Sequence, residues 1–135
     1  MLADMHAFAL AQWEDTQELH PPTDMLLPTH HYGLVSTRRM GVDTNTTILQ
    51  MFLATNPFIK NVQSWYRLNT ADEAGTGPRA VCYKKSPRVV KVAVPMEAIQ
   101  HEPERRGLMF KVPVEARFGG CLVRMPLAMR YLDGI

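Results

Sequence analysis

Two adjacent histidines, two cysteines and a scatter of carboxylates are the side chains in this sequence with chemistry to offer. His30-His31 suggests a metal pair, but neighbouring residues diverge on a helix and point to opposite faces of a strand. No Cys, Asp or Glu stands at ligand spacing from them. No metal site is therefore expected. Cys82 and Cys121 lie far apart with no CxxC, each inside an alternating apolar run, and read as reduced, buried thiols of a cytoplasmic protein. There is no Ser in a GxSxG context, and neither Cys has a His partner by motif. Glu115 lies in a regular apolar segment, where it is expected to pair with Arg117 or Arg124 across strands, as exposed ion pairs commonly do. A general-acid role for Glu115 is the hydrolytic alternative. The polar stretch Asn69 to Pro78, with Asp72, Glu73, Gly75 and Gly77, lacks the GxxxxGK[ST] spacing of a phosphate loop and no helix pattern follows it. It reads as an exposed connection and a candidate contact loop. No catalytic residue, cofactor site or small-molecule substrate is assigned.

The elements that would position these residues begin with an amphipathic helix over Leu2 to Leu19, stopped by Pro21-Pro22. Asp24 to Pro28 reads as a short buried strand, and Thr29 to Thr37 as a short helix with Thr29 as its N-cap. Arg38 to Asp43 is a turn. Thr44 to Asn56 is a second long helix capped by Asp43 or Thr44 and ended by Asn56-Pro57. Strands follow over Lys60 to Leu68, Arg79 to Lys85 and Arg88 to Pro95. Met96 to Arg106 reads as a polar connection with at most one helical turn. Helices first, then strands joined by short links, predict an α+β fold with a mixed or antiparallel sheet flanked by helices.

The most regular stretch is the last, Lys111 to Ile135. Phe110, Val112, Val114, Ala116 and Phe118 alternate with Lys111, Pro113, Glu115 and Arg117. Alternation resumes after Gly119-Gly120, which predicts a β-hairpin turning on the two glycines. An apolar, regular terminus of this kind is expected to be tied into a sheet.

Composition is that of a folded globular chain: 46% apolar and 21% charged residues among 135, one domain's worth or part of a larger one. A net charge of +2 is too mild for a nucleic-acid surface. No apolar run reaches membrane-spanning length, and the N-terminus lacks the basic region of a signal peptide. The initiator Met leads straight into the first helix, so the chain is expected to begin inside a larger fold.

The closing stretch also carries a resemblance. Arg117, Gly119, Gly120, Arg124 and Pro126, followed by Asp133 and Gly134 in a final Asp-Gly-Ile, resemble the C-terminal end of tailed-phage and prophage major capsid proteins of the Hong Kong type. The similarity is to a prophage group of them once labelled only as of unknown function. It is most specific from Arg88 to Ile135, looser at the second long helix and weakest before residue 25. It implies a virion structural protein and not an enzyme, made in the bacterial host cytoplasm. Such a protein self-assembles as pentamers and hexamers into an icosahedral shell and meets the packaged double-stranded DNA only indirectly, with no membrane partner. The long helix and extended arm of that fold have no counterpart here, so residues 1–135 are expected to be one domain, the axial domain plus the last strands of the peripheral domain. Asn69 to Pro78 would then face the symmetry axis of a capsomer. The rival expectation is a stand-alone α+β domain that binds or hydrolyses a small molecule, with a pocket around His30, His31 and Glu115.

Overall fold

The computed structural model describes residues 1–41 and 45–135. Its first helix, α1, spans Leu2–Asp15 and buries Met5, Phe8, Ala9 and Gln12. It ends four residues short of the expected Leu19, before the prolines act. The Thr16 hydroxyl donates to the Trp13 carbonyl, Gln17 and Glu18 adopt positive φ, and the Glu18 N–H returns to the Trp13 carbonyl. That backward bond closes the helix end as left-handed caps do.

Strand β1 (Asp24–Leu27) leads into α2 (Thr29–Thr37). Thr29 is the first helical residue of α2 and not its cap, since Pro28 holds the cap position. Helix α3 spans Ile48–Thr55, shorter than expected. The proposed caps Asp43 and Thr44 lie outside the described residues. Thr47 caps the helix instead: its hydroxyl accepts from the Gln50 N–H, and the Gln50 side chain accepts from the Thr47 N–H. This reciprocal pair satisfies two amide donors and fixes the start.

Strand β2 covers only Asn61–Ser64, and Tyr66–Thr70 tightens into a 3-10 helix where a continuing strand was expected. Strand β3 is Arg79–Tyr83. Six short strands and a 3-10 turn follow: β4 (Val90–Val92), β5 (Met96–Gln100), β6 (Glu104–Arg106), β7 (Met109–Lys111), β8 (Val114–Arg117), β9 (Cys121–Val123), the turn Pro126–Ala128, and then β10 (Met129–Asp133).

The body is one four-stranded mixed sheet in the order β10-β3-β1-β2, with β1 and β2 parallel and the other pairs antiparallel. The fold is therefore α+β with a mixed sheet, and the C-terminus is tied in as an edge strand. A polar pair sets the register of the parallel strands. Asp24 stands opposite Asn61, accepts from its side-chain amide at 3.3 Å, and also accepts from Thr23 at 2.7 Å. Buried as it is, Asp24 needs those donors. The helices pack on one sheet face, where Met25, Leu27, Ala80 and Cys82 meet Phe8, Val35, Ile48 and Phe52. Gln12 and Arg130 fasten α1 to the C-terminal segment. The Gln12 amide donates to the Ala128 carbonyl at 2.7 Å, while Arg130 donates to the Ala11 carbonyl and pairs with Asp15.

The Gly-Gly hairpin is not formed. Its first arm, β8, pairs with β5, and the segment after the glycines, β9, pairs with β4. With β6 on β7, these make one long two-stranded ribbon that leaves the body at Val90, turns at Gly107-Leu108 and returns at Val123. The expected polar connection, Met96 to Arg106, is thus the outgoing strand of this ribbon. Glycine supplies the turn at Gly107, with φ +65°. The register slips between Met96 and Ile99, so the ribbon is bulged rather than straight.

Candidate functional site

The ribbon and the Asn69–Pro78 loop are both exposed surfaces of the fold. At about 3.3 Å per residue the ribbon reaches roughly 50 Å from the body. Its base is anchored: Val89 is buried, and its carbonyl accepts from the Arg124 N–H at 2.8 Å. Beyond that anchor nearly every side chain is exposed. Phe110, Val114 and Phe118, four residues apart along the returning chain, are 71%, 63% and 72% exposed, and Leu108 at the tip is 99% exposed. A two-stranded ribbon is marginal in water by itself, and an apolar row of this size on a polar-edged surface marks a packing site.

Gly119 and Gly120 lie in the ribbon opposite Ala93. The Gly119 N–H donates to the Ala93 carbonyl at 2.8 Å and the Ala93 N–H to the Gly120 carbonyl at 2.9 Å. A Cβ on Gly119 would sit 3.1 Å from the Ala93 Cβ, so the glycine lets the two strands approach. Arg117 pairs with Glu115 at 3.6 Å, and His101 stands 3.7 Å from the same carboxylate. All three are about half exposed or more.

The loop is built around Asp72. Its carboxylate accepts the Thr76 N–H at 2.6 Å, and its own N–H and that of Ala71 donate to the Gly77 carbonyl at 3.1 and 3.0 Å. The Gly77 amide, with those of Thr76 and Gly75, holds the Asp72 carboxyl below its usual range, against the opposing effects of desolvation and nearby Asp133. Gly75 supplies positive φ, and a Cβ on Gly77 would fall 2.6 Å from Asp72 Oδ2. Asn69 belongs to the 3-10 helix before the loop. Glu73 to Thr76 form the exposed outer rim.

The structure brings the closing motif to this loop. Arg79 donates from Nε to Asp133 Oδ1 at 2.5 Å and from Nη2 to Oδ2 at 2.7 Å, and its guanidinium lies 5.1 Å from the Tyr131 ring centre. The side-chain bond from Arg79 and the Glu73 backbone hold the Asp133 carboxyl low. The Gly134 N–H donates to the Pro78 carbonyl at 3.2 Å. Asp72, Glu73, Asp133 and Gly134 thus form one cluster, whereas Arg117, Gly119, Gly120 and Arg124 belong to the ribbon and Pro126 opens the turn between them. Arg79 was missed in the sequence because its partner lies 54 residues away. The Asp72 brace had a local signal, an Asp followed by glycines three and five residues on.

The residues of the rival pocket, His30, His31 and Glu115, are not brought together. His30 and His31 stack edge-on in α2, on the body, while Glu115 stands on the ribbon. A cavity of about 270 Å³ between α1, α2 and the sheet is lined by Met5, Phe8, Met25, Leu27 and Val35 among others, with Asp4 and His31 as the polar side chains among the described residues. Among the described residues no group of three or more His, Cys, Asp or Glu stands where it could hold a metal ion, and no helix is long and apolar enough to cross a membrane. Cys82 is buried, and burial with nearby Asp24 pushes its thiol up to about 12, so it is no nucleophile at neutral pH. Cys121 departs from expectation: it is exposed, because its strand lies in the ribbon and not in a core.

The chain matches the family model described as major capsid protein over residues 1–135. No curated protein matches it. Among solved structures it is similar to the capsid of Myoviridae phage XM1, with a TM-score of 0.87 and 14% identity, over 99% of this chain and 45% of that one. The chain therefore spans less than half the length of that capsid polypeptide.

Proposed function

From the premise that this chain belongs to the major capsid protein family, we propose that it is the C-terminal part of a tailed-phage or prophage shell subunit of the Hong Kong type. In this reading the four-stranded body is the axial domain and the ribbon is the last pair of strands of the peripheral domain. The subunit is made in the bacterial host cytoplasm and ends in the virion. Its partners are copies of itself, in pentamers and hexamers that enclose double-stranded DNA. The role is structural and involves no small-molecule substrate.

The observation that carries the reading is the ribbon. A chain that has to be stable alone does not leave Leu108, Phe110, Val114 and Phe118 in water on a projecting two-stranded arm. A shell subunit needs such surface, because its neighbours and the rest of its own fold cover it. The chain is similar in fold to a capsid protein more than twice as long, which supports the presence of further covering structure in the complete subunit.

Light scattering coupled to size exclusion, across a range of protein concentrations, tests this. Association that grows with concentration, or discrete rings, is the expected result. A monomer at every concentration, with ribbon amides as protected as those of the body, would show that the ribbon is self-sufficient and remove the support for a shell role.

A further inference from the structure

The core of the body is not filled. The cavity of about 270 Å³ between α1, α2 and the sheet reaches the sheet itself, with Met25 and Leu27 of β1 and Ala80 of β3 in its wall. Those three are buried, as are Met5 and Phe8 of α1 and Val35 of α2 on the other side. Protein interiors pack like organic crystals, and side chains around a void forfeit contacts they would otherwise make. A core selected only for packing closes such a space with a larger side chain, for example at Ala80. This chain keeps the space and adds a polar atom to it. His31 lines the cavity, and its Nδ1 is buried with no hydrogen-bond partner among the described residues. A buried ring nitrogen without a partner costs stability, and native structures carry few such atoms without a reason. Asp4, the other polar side chain of the wall, is exposed to solvent and already paired with the Met1 amine.

We infer that this cavity is a binding site for a small, neutral, apolar molecule with one hydroxyl, of the size of a monocyclic phenol, and that the hydroxyl bonds to His31 Nδ1. Volume sets the size of the ligand. A cavity of about 150 Å³ lined by apolar side chains holds benzene, so one of about 270 Å³ holds a single ring with a small substituent. The wall sets its chemistry. An anion is disfavoured, since it would lose its water against Met, Leu and Val side chains and meet the Asp4 carboxylate in the same wall. A hydroxyl is the fitting polar group because it donates to a bare Nδ1 or accepts from a protonated one, and so serves either tautomer. A molecule seated there touches α1, α2, β1 and β3 together and ties the helices to the sheet. The site is separate from the three-residue pocket expected from the sequence, because Glu115 stands on the ribbon and takes no part. It does not depend on the shell reading, since the wall lies wholly in the body and the role is binding.

Phenol, benzene and benzoate are the probes, titrated into the full chain and read by methyl and His31 ring-nitrogen resonances. Phenol is expected to shift the Met25, Leu27 and Val35 methyls saturably and to move His31 Nδ1. Benzene is expected to shift the same methyls, to bind about five- to tenfold more weakly for want of one hydrogen bond, and to leave Nδ1 in place. Benzoate is expected to move none of them. Two variants separate the cavity from the surface. Ala80→Leu fills the space and is expected to abolish both titrations. His31→Phe keeps a ring but not the nitrogen, and is expected to make phenol and benzene equal. No saturable methyl shift with phenol or benzene in the parent overturns the site. Equal affinity for the two in the parent, or a phenol preference that survives His31→Phe, overturns the hydroxyl contact at His31. Benzoate that binds as phenol does overturns the neutral class. Phenol binding that survives Ala80→Leu lies outside the cavity and overturns the inference as a whole. If Ala80→Leu fails to fold, the parent titrations and His31→Phe decide alone.

Discussion

At the scale of single residues, the two aspartates of the loop give a pH signature with a definite sign. Asp72 and Asp133 both have carboxyls held below the usual 3.8, by backbone amides and by Arg79 respectively. A depressed folded-state value stabilises the folded form above the unfolded value and loses that effect as pH falls through the folded one. The loop is therefore expected to stay docked through mild acid and to release only below the ordinary carboxylate range. A titration of the Thr76 and Gly77 amide resonances checks this; release between pH 5 and 4 would contradict it. The ribbon glycines offer a second residue-scale test. Gly119→Ala places a methyl 3.1 Å from the Ala93 Cβ and 3.2 Å from its carbonyl, and Gly120, at φ +85°, is strained by any side chain. Either substitution is expected to cost the ribbon about 1 kcal/mol of local stability, seen as faster exchange at Ala93 with the body unchanged.

At the scale of elements, the helices and the sheet rest on burial and capping that can be weighed. Phe52 is wholly buried on the inner face of α3, and Phe52→Ala is expected to cost about 3–5 kcal/mol in urea unfolding. Thr47→Ala removes half of a reciprocal cap and is expected to cost about 1 kcal/mol by the same measurement, which distinguishes the observed start of α3 from the expected one at Thr44. The elements legible in the sequence were those specified locally. Pro28 and the apolar run after Asp24 marked β1 and α2, and the Asn56-Pro57 stop marked the end of α3. The ribbon was not legible, for a physical reason. Alternation reports which residues share a face, but it is silent on which strand lies opposite. Gly119-Gly120 has the chemistry of a tight turn and equally the chemistry of a close approach, and only the partner strand, some 25 residues earlier at Ala93, decides between them. The polar outgoing strand, Glu97 to Arg106, shows no burial pattern because almost nothing covers it.

At the scale of the whole molecule, two regions obey different rules. The body has a core, an edge strand held by Gln12 and Arg130, and a docked loop. The ribbon has none of these beyond its anchor at Val89, and its apolar side chains are the ones a solitary protein would replace. This contrast gives the most discriminating test of the shell reading. If the ribbon served the stability of this chain, replacing Phe110 and Phe118 by serine would lower its unfolding midpoint. If the ribbon is an assembly surface, those side chains contribute nothing to the isolated fold, and the double variant Phe110→Ser/Phe118→Ser is expected to unfold at the parent midpoint within about 0.5 kcal/mol, the usual range for exposed positions. Its association at high concentration is expected to fall and its solubility to rise. Equal association of variant and parent would exclude the ribbon face from assembly, and a clear loss of stability in the monomer would make the ribbon part of a core that closes within one chain.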